Sequence, residues 1–186
     1  TDEVAARREA VAAAEAAEVR ARISELLAED LPLDARLADV AGDVLGMPAF
    51  AGGERDVARI HVLEPATEML LPYVGRRGDG TDLLDLGPPL AAGEGLAGRA
   101  TRTQDVVVER DGTAVRAAIP LVSEGELVGV MELRTASGRL DDPAVRRELL
   151  RIGEVIAHAA IRDRLDGELK RLARRLRTAT EGAGVG

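Results

Sequence analysis

Gly93-Glu94-Gly95-Leu96-Ala97-Gly98-Arg99-Ala100, then Ile119-Pro120-Leu121, then Gly125-Glu126-Leu127-Val128-Gly129-Val130-Met131-Glu132-Leu133, carry the densest structural signal in this chain. Gly93 and Gly95 permit positive φ or close backbone approach where a loop turns into a helix, and Leu96 to Thr101 supplies that helix. Pro120 suits a place near a strand end, where a missing N–H does no harm. Gly129 inside a strand leaves room for something packed against the sheet, a helix or a ligand. Val106–Val108, Val115–Leu121 and Glu126–Arg134 read as three strands, the last two forming a hairpin across Ser123-Glu124-Gly125.

Toward the N-terminus the period stays extended back to Asp56. Val57 to Leu63 and Met69 to Val74 read as two strands joined by Glu64-Pro65-Ala66-Thr67. Residues 75–93, rich in glycine and holding Pro88-Pro89, read as a long loop with one short strand near Leu83–Leu86; loops of that length in a compact domain are usually functional or mobile. Before the strands, Asp34 is the expected N-cap of a helix through Leu45, with Leu37, Val40, Ala41 and Val44 on its apolar face. Gly46 and Pro48 end it.

Long helices flank this core on both sides. Residues 2–29 contain neither Gly nor Pro and are dominated by Ala, Glu and Arg. Ala5, Ala12, Ala16, Val19, Ile23 and Leu26 recur at the spacing of a coiled-coil seam, which Asp30-Leu31-Pro32 interrupts. Asp141 or Asp142, with Pro143, opens a closing helix expected to run to about Arg177. Val145, Leu149, Ile152, Ile156 and Ala159 share one face. Leu165, Leu169, Leu172 and Leu176 continue the heptad after a slip near His158–Arg162, which resembles a stutter. The reading divides the chain into a helical arm (1–31), a domain (32–162), a coiled-coil extension (163–177) and a disordered tail (178–186). Helix, strands, loop, strands and closing helix make an α+β domain on an antiparallel sheet.

Composition narrows the chemistry. The 186 residues are 46% hydrophobic yet include one Phe, one Tyr and no Trp, so Ala, Leu, Val and Ile must fill the core. Such small side chains remove little apolar area each, which favours extra helix-on-sheet contact or a partner chain. Without cysteine, disulfides, thiolate zinc sites and thiol catalysis are excluded. There is no apolar run of membrane-spanning length and no signal-peptide pattern, so a cytoplasmic location is expected. A net charge of −8 disfavours nucleic acid. The basic run Lys170-Arg171 to Arg174-Arg175-Arg177 reads as the charged flank of a helix end more readily than as a contact for nucleic acid or acidic lipid.

The three opening segments, in their order and spacing, resemble the GAF domain family, a PAS-related fold. The resemblance covers roughly residues 34–162 and includes Asp141 and Leu149–Ile161 of the closing helix. It implies a six-stranded antiparallel sheet with helices on both faces, the terminal helices on one and a small-molecule pocket on the other beneath residues 75–103. It also implies dimerisation through the terminal helices and a signal passed to a linked output domain. Relatives that reduce free methionine sulfoxide work through cysteines, which this chain lacks. Bilin-binding relatives use Cys, aromatic and His residues, and aromatics are nearly absent here. Cyclic-nucleotide-binding relatives carry a set that includes Asn, a residue missing from this sequence.

If that geometry holds, Ile60, Val62, Leu96, Arg99, Arg116, Ile119 and Glu132 line the pocket. A buried Arg there binds a carboxylate or phosphate bidentately; the plainer reading is a solvated or salt-bridged Arg, with Glu132 facing water. His61 and His158 are the only candidate haem ligands, weighed against solvent-facing or hydrogen-bonded structural roles. No metal-spaced cluster exists, and Gly93 and Gly95 are not a phosphate loop because no Lys-Ser/Thr follows. No cofactor and no catalytic residue are expected. The expectation is a homodimeric bacterial sensory module cut from a longer signalling protein, with a ligand-free spacer module as the alternative and a haem-based gas sensor behind it.

Overall fold

The computed structural model describes residues 2–50, 53–136 and 139–183. Helices α1 (Asp2–Ala28) and α2 (Leu33–Leu45) precede strands β1 (Val57–Glu64), β2 (Met69–Arg77) and β3 (Leu90–Ala91). Helix α3 (Gly95–Thr103), strands β4 (Val107–Asp111), β5 (Ala114–Ser123) and β6 (Glu126–Thr135), and helix α4 (Pro143–Ala183) follow. The strands form one antiparallel sheet in the order β3-β2-β1-β6-β5-β4. This is the α+β architecture expected, with helices on both faces.

Strand alternation sorts the side chains into two cores. Ile60, Ile119, Met131 and Leu133 face Ile23 of α1, Leu37, Val40 and Val44 of α2, and Leu149, Ile152 and Ile156 of α4. Burying each such side chain contributes about 2 kcal/mol, so this face supplies most of the driving force. The opposite face holds a smaller core of Leu70, Ala118 and Val130 under Leu96, Ala97 and Ala100 of α3.

Several local readings change. The short strand is Leu90–Ala91, paired with Met69 and Leu70, and not Leu83–Leu86; Leu83 and Leu86 instead pack over Gly75 of β2. Helix α2 is capped by Pro32, whose carbonyl accepts from Arg36 N at 3.1 Å. Asp34 sits in the first turn, where its charge suits the positive helix end. At α4, Asp142 Oδ1 accepts from Ala144 N at 2.8 Å, while Asp141 pairs with Arg110 and Arg146. Helix α4 continues beyond Arg177 to Ala183, since each added residue gains a backbone hydrogen bond with no proline to stop it; residues 184–186 of the expected tail lie outside the described residues.

Gly129 is required by the sheet itself. A Cβ there would stand 2.0 Å from His61 O, so β1 backbone occupies the space expected for a helix or ligand. Pro120 lies within β5 beyond Ala118, where pairing with β4 has ended and β6 alone remains alongside.

Residues 13–20 of α1 lie beside 144–151 of α4, and 27–28 beside 159–170, so the two helices run in the same direction. Arg20 reaches Glu148 at 3.1 Å across that contact. Arg36 ties the far end, donating to Leu31 O, to Leu27 O and to Asp163 Oδ1 at 2.9, 2.7 and 2.6 Å.

Candidate functional site

The sheet face toward α3 concentrates charge, half-buried at Arg59, Arg116 and Glu132 and exposed at Arg77, Glu109 and Arg134. Register places Gly75, Arg59, Glu132, Ala118 and Val107 in one row across β2-β1-β6-β5-β4. The neighbouring row holds Arg77, Val57, Arg134, Arg116 and Glu109. Arg116 and Arg134 are therefore direct cross-strand partners of like charge, an arrangement that costs stability. Arg59 stands opposite Glu132, yet no ion pair among the described residues joins Glu132 to any of the three arginines. Buried Arg59 Nε has no hydrogen-bond partner. The acid of the second row, Glu109, is held by Arg99 of α3 at 2.8 Å.

Arg59, Arg116, Glu132 and Arg134 surround a cavity of about 40 Å³ that Val57, Leu96 and Leu133 also line. Gly93 (φ 103) and Gly95 (φ 62) turn the preceding loop into α3, as their positions predict. Gly98 lets α3 fold back on that loop, because a Cβ there would meet Gly93 C at 2.1 Å. On the other side, Leu83 and Leu86 pack over Gly75, beside Arg59 in the row.

Of the seven residues expected at a pocket, the structure brings Leu96, Arg116 and Glu132 together. Ile60 and Ile119 belong to the opposite core, and Val62 shares the side of Ile60 along β1. Arg99 is half exposed and engaged with Glu109, outside the cavity. Glu132 is half-buried at the cavity wall, not simply facing water. Arg59 and Arg134 are the residues that sequence reasoning missed; their signal lies in cross-strand register, which one strand's sequence does not display.

No family model matches the sequence, and no curated protein matches it. Solved structures do. The GAF domain of a phosphoenolpyruvate-protein phosphotransferase from Coxiella burnetii superposes with a TM-score of 0.65 at 14% identity, over 84% of this chain and 98% of that one. The fold is that of a GAF domain. The A. aeolicus nlh2 GAF domain in an inactive state gives 0.59 at 15% identity, over 80% of this chain and 96% of that one. A free methionine-R-sulfoxide reductase from Neisseria meningitidis gives 0.61 at 16%, over 77% and 87%.

Within this GAF fold the two histidines differ. His158 is exposed on α4. His61 is 2% exposed, with Nδ1 lacking a hydrogen-bond partner, so it is neither of the two structural types expected. Burial pushes its pKa below the ordinary imidazole value, opposed by Glu132 and assisted by Arg59. Two larger clefts, of about 530 and 290 Å³, lie between α1 and α4 and are lined by neither histidine. Among the described residues no group of three His, Asp or Glu side chains is placed to hold a metal ion, and no helix is long and apolar enough to cross a membrane.

Proposed function

We propose that this GAF-fold chain is a non-catalytic, cytoplasmic sensory module that takes a small molecule beneath α3. Its state is relayed to a linked output domain through a homodimer of α1 and α4. The observation carrying this reading is the placement of the two long helices. They run side by side and in the same direction over the main core, which the same sheet shares with the charged face under α3. The early part of α1 leaves Val4 and Val11 exposed, and the late part of α4 leaves Leu165, Leu169 and Leu172 exposed. Those positions keep helical spacing and are the surface a second copy covers in a heptad interface. Lacking cysteine, the chain has no thiol for reductase chemistry.

Light scattering and native mass spectrometry at tens of micromolar test the reading together. A dimer carrying a small bound mass supports it, and a monomer overturns the helical relay. A second reading, the ligand-free dimeric spacer, draws on the cavity's modest 40 Å³. A dimer that no small molecule stabilises against heat supports that reading instead.

A further inference from the structure

Resting on the reading of the α3 face as a ligand site, we propose that its ligand presents a small oxyanion, a carboxylate or phosphate head group. Arg59 and Arg116 grip it, and Arg134 stands at the mouth. Arg59, Arg116 and Arg134 line one cavity with a single carboxylate residue among them; Arg59 and Arg116 are half-buried, Arg134 is exposed, and among the described residues none of the three side chains is in an ion pair or hydrogen bond. Folded proteins rarely leave cations half-buried and unpaired, because desolvation is then uncompensated. Glu109, which stands opposite Arg116 in the register, is held instead by Arg99 at 2.8 Å. An oxyanion supplies the missing acceptors, and the planar guanidinium fork matches it bidentately.

Size and wall chemistry narrow the ligand further. The 40 Å³ space matches a head group of a few heavy atoms, with any larger part of the ligand lying outside the open mouth. Leu96, Val57 and Leu133 offer apolar contact to a short aliphatic tail. Glu132 opposes the anion, so the net field of the site is positive but moderated.

The test is an NMR titration of arginine side-chain Nε–Hε signals with sodium acetate, with phosphate, and with sodium chloride at matched ionic strength. Saturable shifts at Arg59 and Arg116 with acetate identify a planar carboxylate, and with phosphate a tetrahedral head group; either supports the proposal. Arg116→Gln should weaken binding about tenfold or more, and Glu132→Gln should strengthen it several-fold. Without added anion, Arg116→Gln should also raise the melting temperature by relieving its repulsion with Arg134, which separates a binding role from a structural one. Chloride acting as well as the oxyanions, or Arg116→Gln binding like the parent, overturns the proposal. If neutral metabolites alone shift the residues under α3, the oxyanion assignment falls while the site reading stands. If nothing shifts them, both fall.

Discussion

Asp56 is wholly buried, and its carboxylate closes two loops at once. Oδ1 accepts from Ala136 N at 3.0 Å and Oδ2 from Gly53 N at 3.1 Å, while its own carbonyl accepts from Gly78 N at 2.8 Å. Asp56→Ala strands two backbone donors and should cost about 3 kcal/mol, read as a lower urea midpoint at unchanged slope. Glu148 shows the opposite balance. Burial raises its pKa above 4.5 despite Arg20 at 3.1 Å and Arg151 at 3.7 Å. A carboxyl with a raised folded pKa holds its proton better in the native state than in the unfolded chain. Its contribution is therefore full at low pH and is lost as pH rises from about 4.5 through the folded value. Glu148→Gln should flatten that part of the stability–pH curve, seen by urea unfolding between pH 4 and 8. An unchanged slope would mean Glu148 does not titrate there.

Helix α3 is the element on which the site depends, and it is held by a close contact of backbone on backbone. Gly98→Ala sets a Cβ 2.1 Å from Gly93 C, which must push α3 off its loop. The expected cost is roughly 2 kcal/mol, with the Arg59 and Arg116 signals perturbed while the α4 core stays intact. Elements of this kind were readable in the sequence because local rules govern them. Gly93 and Gly95 announce positive φ, Pro143 announces a helix start, and alternation in β5 and β6 announces strands. What was illegible depends on relations between elements. Ala58, Ile60 and Val62 alternate with Arg59 and His61 along β1, so the strand displays two different faces, but nothing local says which of them lies under α3 and which under the larger helical core. That is why Ile60 and Ile119 were assigned to the pocket and Arg59 was not. Likewise Asp34 has the chemistry of an N-cap, and the cap fell to Pro32 because its carbonyl already begins the ladder.

For the molecule as a whole, the unevenly covered helices make a prediction about association. Residues 2–12 of α1 extend about 17 Å, and Val4 and Val11 within them are exposed. The distal part of α4 likewise leaves Leu169 and Leu172 in the open. Isolated helical segments of that length fray in water. Hydrogen exchange should therefore show amide protection at residues 2–12 and 171–175 that rises with protein concentration, while protection at β5 and β6 stays constant. Protection independent of concentration would remove the second copy from the picture.

The parallel course of α1 and α4 carries a further consequence, one of rotational phase. Each residue turns a helix by about 100°, so anything joined rigidly to the end of α4 has its angular position set by residue count. Inserting seven residues beyond Leu172 returns an attached face to within about 20° of its original azimuth, whereas inserting two swings it to roughly the opposite side. Under the proposed relay, a chain of such modules would be tuned by the counting of residues along one shaft as much as by the chemistry under α3.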